Sequence, residues 1–148
     1  MNSNGMSLIV KTVTRLTVGF IFVYGIYIVL HGHISPGGGF AGGVIIALAF
    51  VNLMLAYGKQ ELYRRIPKLF LALFETIGAI MFLGIAILGF MSGYFFYDWF
   101  VSKGKPFTIF SAGTIPLSNI AIALKVSSGL FAIFLVLVLI RVTGGSQE

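Results

Sequence analysis

Four long apolar runs dominate this chain. A hydrocarbon core about 30 Å thick is crossed by about 20 helical residues. The runs extend from about Leu8 to Leu30, Pro36 to Tyr57, Pro67 to Tyr97 and Ser118 to Ile140. Each reaches the roughly 20 residues that a helix needs to cross a bilayer. Across the 148 residues only 9% are charged and 58% are hydrophobic, against about 25% charged in a soluble domain. The chain therefore reads as an all-α integral membrane protein, a single four-span domain covering residues 1–148.

Local signals refine the boundaries. Ser35 is a suitable N-cap, Pro36 suits a first helical position, and Gly58 suits a C-terminal cap. Pro67 starts the third run, which is long enough to tilt or protrude, and Pro116 with Ser118 mark the start of the fourth. Lys11 and Arg15 stand four apart, on one face of the first run, where both can reach the headgroups.

The net charge of +6 would point to nucleic acid in a soluble protein. Here the basic residues cluster at the ends of apolar runs, as membrane orientation signals do, and no nucleic-acid partner is expected. With four spans, Lys11, Arg15, Lys59, Arg64, Arg65, Lys68 and Arg141 lie on one side and Lys103 and Lys105 on the other. That excess predicts a multi-pass cell-membrane protein with both termini in the cytoplasm. Tyr24, Tyr27, Tyr94, Tyr97 and Trp99 then mark the outer interface, and Tyr57 and Tyr63 the inner one. The connection from Asp98 to Ile115 is rich in apolar residues and is expected to be partly buried. The first run lacks a short core followed by a small-residue cleavage site, so no cleavable leader is expected. The chain has no cysteine, which excludes disulfides, thiolate metal sites and iron–sulfur clusters held by it.

Two ionisable residues lie deep in spans, Glu75 within LFETIGA and Lys125 within IALKVSS. A charge there costs about 2.5–3.5 kcal/mol on insertion scales, and such residues commonly mark ion or proton paths. The expected boundaries set the two heights roughly 15 Å apart at 1.5 Å per residue, which argues against a direct ion pair. Glu75 shares a stripe with Ala79, Phe82, Ala86, Gly89 and Gly93, and Lys125 lies with Ala121, Ser128, Gly129 and Ala132. Small residues permit close helix approach, so both charges are expected to face protein. The functional reading is a proton or cation relay. The plainer readings are a structural hydrogen bond at Glu75 and snorkelling of Lys125 to the outer interface.

The stretch HGHISPGGGFAGG, residues 31–43, joins the first two runs. Gly38 with Gly42, and Gly39 with Gly43 extended by Ala47, form two small-residue frames suited to helix packing. A phosphate loop is excluded, because no strand precedes the glycines and no Gly-Lys-Ser/Thr follows them. His31 and His33 are expected in the outer turn, either as ordinary polar turn residues or as proton-exchanging groups at an ion entrance. Two histidines without a neighbouring carboxylate are too few for a metal site. Asn52 and Asn119 are lesser polar candidates.

The block GHISPGGGFAGG, the segment GTIPLSNIAIALKVSSGL at 113–130 and the early VTRL together resemble the B subunit of multisubunit Mrp-type sodium/proton antiporters. The matching motifs run from about residue 13 to 140, in the family's order. The resemblance extends to the equivalent subunit of archaeal membrane-bound hydrogenases and related ferredoxin-linked complexes. It implies a small four-helix partner of other membrane subunits in a complex that couples sodium and proton movement, with redox centres, where present, on other chains. The motif positions carried over are His33, Ser35, Pro36, Gly37, Gly38, Gly39, Gly42, Gly43, Pro116, Asn119 and Lys125.

Three functions compete on these residues. The chain is an ion-translocating antiporter subunit without an enzyme site or cofactor of its own, or a purely structural assembly subunit, or an autonomous small transporter. The last is weakest, because the halves show no inverted repeat.

Overall fold

The computed structural model describes residues 6–58, 67–91, 93–94 and 112–144. Its elements are four helices: α1 Leu8–Leu30, α2 Gly38–Tyr57, α3 Lys68–Phe90 and α4 Ile115–Gly144. No strand occurs among the described residues. All four helices are long and apolar enough to cross a membrane, so this is a multi-pass membrane protein.

Several boundaries differ from those read off the sequence. Helix α2 does not begin at Ser35–Pro36; its N-cap is Gly37 at φ 135°, followed by Gly38 at φ 65°. These backbone conformations favour glycine and let the chain reverse within a few residues. Ser35 instead completes the end of α1, its hydroxyl donating to the His31 carbonyl at 3.1 Å. Helix α3 stops at Phe90, with Met91 as C-cap and Gly93 at φ 104°, although the apolar pattern runs on. Tyr97, and the connection expected to be partly buried up to residue 111, lie outside the described residues. Helix α4 starts three residues earlier than expected. Pro116 occupies its second position, where a missing N–H costs nothing because first-turn N–H groups have no helical partner.

The helices form an open layer in the order α1, α2, α4, α3. The apolar windows of α2 and α4 are 39% and 33% buried, against 17% for α1 and α3, so α2 and α4 are central. Helices α1 and α2 make an antiparallel hairpin. At its core Gly25 and Gly42 face each other, and a Cβ on Gly42 would lie 2.9 Å from the Gly25 carbonyl and 3.0 Å from the Val29 nitrogen. At its other end the Met6 N–H donates to the Ala56 carbonyl at 3.0 Å, satisfying a terminal acceptor of α2. The Lys11 ammonium sits 5.8 Å from the Tyr57 ring centroid, a cation–π geometry at the helix ends.

Helices α2 and α4 run parallel, in contact along a seam that passes from Gly39–Asn119 through Gly43–Ala123 to Phe50–Phe131. The last pair belongs to a cluster around Met54, Phe131 and Leu135. Helix α3 packs antiparallel on α4 and leaves a cleft between itself and α2, lined by Phe50, Phe70, Phe74 and Phe131 among others.

This packing assigns different tolerances to glycines that look alike in sequence. A Cβ on Gly39 would collide with the Asn119 backbone, with its Cα only 2.8 Å away, whereas Gly84 has nothing within 4 Å. Gly39→Leu should destabilise the purified protein by at least roughly 1–3 kcal/mol through overpacking. Gly84→Ala should be neutral or stabilising by up to about 1 kcal/mol. Thermal unfolding in detergent measures both.

Candidate functional site

The α3–α4 seam is built around Gly78. Its missing side chain lets the α4 backbone pass, since a Cβ there would lie 2.7 Å from the Ala121 carbonyl and 2.8 Å from the Lys125 nitrogen. Ala121 is fully buried and Ala86 nearly so, keeping the crossing tight above that point. One turn toward the start of α3, the Glu75 Oε1 lies 3.8 Å from the position a Cβ would take on Gly129. Gly78 is thus level with Lys125, and Glu75 is level with the next turn of α4.

The two charges therefore differ in height by about 5 Å, one turn at 1.5 Å per residue, not by the roughly 15 Å expected from sequence. The correction follows from register. Helix α3 ends at Phe90 and α4 starts at Ile115, so the antiparallel pair slides relative to the expected spans. Glu75 and Lys125 are on the same side of the seam. Ala79, Phe82 and Ala86, which follow Glu75 along its face, line a groove of about 410 Å³ together with Lys125 and Ile122. No ion pair is found between the two side chains among the described residues.

Their surroundings differ. Glu75 is half-buried in the seam, as its small-residue stripe predicts. Lys125 is exposed on the groove side, so within this chain it does not face protein as expected. Lys125 lies ten residues into the apolar stretch 115–138, about 15 Å from the start of the helix. Beneath it the Ser128 hydroxyl is buried and donates to the carbonyls of Leu124 at 2.7 Å and Lys125 at 3.1 Å. These bonds hold a polar side chain within an apolar helix without an orphaned hydroxyl.

A second polar group forms the junction between the α1–α2 turn and the start of α4. Helix α2 has no side-chain cap of its own. Asn119 supplies the missing acceptor from another helix, its Oδ1 accepting the Gly39 N–H at 3.2 Å. Its Nδ2 is buried, without a hydrogen-bond partner in the structure, and a Cβ on Gly32 would approach it to 2.6 Å. His33 is half-buried in the same turn, with Nδ1 enclosed. His31 caps α1: its backbone N–H donates to the Tyr27 carbonyl at 3.0 Å, its Nδ1 lies 3.1 Å from the same oxygen, and its ring stacks on Tyr27.

The six polar candidates thus separate. Glu75 and Lys125 share the α3–α4 seam, and His31, His33 and Asn119 belong to the turn junction. Asn52 stands apart on the exposed face of α2 with Leu48 and Leu55. Of the packing residues, Gly42 faces α1, Gly39 and Gly43 face α4, and Gly38 lies against the Asn119 amide; Ala47 is buried on the same helix. Sequence reasoning missed Gly25 and Gly78 as close-approach positions. The spacing of Gly78, three residues after Glu75, is a signal that could have found it. No group of three His, Cys, Asp or Glu side chains able to hold a metal occurs among the described residues.

Four spanning helices in an open layer, with a carboxylate and an ammonium on one seam, define a multi-pass membrane protein with ionisable groups at mid-span. Residues 9–132 match the family described as a domain related to the MnhB subunit of Na+/H+ antiporter, and the chain belongs to that family. An uncharacterized protein of Methanocaldococcus jannaschii is 41% identical over 112 residues, 72% of this chain and 42% of the relative. A Staphylococcus aureus protein carrying the name antiporter subunit mnhB2 is 38% identical over 73 residues, 49% of this chain and 51% of the relative. Among solved structures, a chain of the membrane-bound sulfane sulfur reductase, an archaeal respiratory membrane complex, superposes with a TM-score of 0.76 at 33% identity. That match covers 86% of this chain and 56% of the other. The chain spans about half the length of the relatives it matches.

The Asn119 junction makes a specific expectation. Asn119→Ala leaves the Gly39 N–H without its acceptor and should destabilise the fold by about 1–3 kcal/mol. Hydrogen exchange at the Gly39 amide should accelerate, while amides in the middle of α1 keep their protection.

Proposed function

We propose that this chain is a small membrane subunit of a cation/proton antiporter module, of sodium/proton type, working beside other membrane subunits. The module is either a standalone antiporter or part of a membrane-bound respiratory complex of the hydrogenase type. Its part is ion movement and subunit packing, with no bond-making chemistry or cofactor of its own. Family membership supports the class, and the proximity of Glu75 and Lys125 on one seam is the observation that carries the role.

A carboxylate within a membrane span can hold a proton or a cation, and a lysine one turn away places a basic group beside the same path. Asn119, His31, His33 and Asn52 remain secondary candidates for the ion path. The competing reading, a purely structural subunit, draws on the glycine contacts that tie α1, α2 and α4 together.

Glu75→Gln separates the two, since it keeps the shape and removes the charge. In membranes or proteoliposomes holding the whole complex, sodium/proton exchange should fall at least about tenfold, as expected for loss of a buried charge on an ion path, while recovery of the complex is unchanged. Unchanged exchange would leave the structural reading. The basic residues further propose cytoplasmic termini. A cysteine added to the C-terminus should therefore resist impermeant thiol reagents in intact cells and react in inverted vesicles.

A further inference from the structure

Lys125 has a place in the proposed function but no counter-charge among the described residues. Lys125 is exposed in the middle of a membrane span, on the wall of the α3–α4 groove. The groove is otherwise apolar, and its floor is made of Gly78, Ala79, Ala86 and Ala121. We infer that this groove receives a transmembrane helix of another subunit, one that presents an Asp or Glu side chain to Lys125 at mid-membrane height.

Charge complementarity selects this occupant. A lipid chain fits apolar walls but brings no counter-charge to this depth, and an anionic headgroup stays at the interface about 15 Å away. Within the chain Glu75 forms no ion pair with Lys125 among the described residues, and its carboxyl packs beside Gly129. A second copy is equally unsuited. Among the described residues Glu75 is the only acidic group within a span, and it is already lodged in the copy's own seam. The counter-charge that fits Lys125 is therefore a carboxylate on a different chain. The small floor residues permit the close backbone approach on which membrane helix pairs rely. Intramembrane charges pair across such contacts.

This inference rests on the proposed membership in a multisubunit complex, and the test separates the two. Because the chain has no cysteine, single-cysteine and photo-crosslinking variants are clean probes. A photo-reactive residue replacing Leu83, on the groove wall, should crosslink in the assembled complex to a membrane span of another subunit. The captured peptide should contain an Asp or Glu near its centre. Lys125→Met should reduce recovery of the intact complex at least about tenfold, the loss expected on removing one partner of a buried pair, and Lys125→Arg should restore it. Crosslinks to lipid, to a second copy, or to a span without a carboxylate would overturn the inference. So would full recovery with Lys125→Met, or labelling of Lys125→Cys by an impermeant thiol reagent in the intact complex. In those cases the antiporter-subunit reading stands, whereas purification of the wild-type chain free of other membrane subunits removes both.

Discussion

Close backbone contact on opposite sides of α4 is the constraint on which the rest of this fold depends. On one side the α4 backbone at Asn119 and Ala123 meets Gly39 and Gly43 of α2, and on the other it meets Gly78 of α3. Apolar side chains drive little association where the solvent is itself apolar. Packing at van der Waals distance and a few polar contacts must hold the helices instead, and glycine provides the first. The Asn119–Gly39 hydrogen bond provides the second, where a helix N-terminus would otherwise keep an unsatisfied donor.

The open layer follows from this use of α4. With α2 and α3 on opposite sides of it, one remaining side of α4 carries the buried Phe131 and Leu135 and the other carries Lys125, and α1 is tied in chiefly through α2. A closed bundle would have buried Lys125. The layer leaves it on a groove wall, while Glu75, one turn away, stays within the seam. Two charges of opposite sign on neighbouring turns thus have different neighbourhoods. One belongs to this chain's own packing, and the other is open to whatever lies against it.

Much of this was legible in the residues. Span number and the limits of α1 followed from the length of the apolar runs, since a bilayer imposes a minimum length that few other settings do. The two glycine frames were visible as packing faces because helical spacing puts residues four apart on one side. Boundaries at Gly37, Gly93 and Ile115 were not, because left-handed backbone at particular glycines depends on where the chain must turn, not on composition. The separation of Glu75 and Lys125 failed for a related reason. Counting inward from assumed helix ends compounds small boundary errors, whereas the true register is set by where Gly78 lets α4 approach.

The sequence by itself therefore determined the solvent, the number of spans, the packing faces and the residues with chemical potential, because these depend on local composition and on helical periodicity. Tertiary structure alone decided which glycine meets which helix, that Asn119 caps α2 from afar, and that Glu75 and Lys125 share one seam. The physical reason is that neither helix order nor register is encoded in any single segment. Both emerge from the few pairs of backbones that can approach most closely.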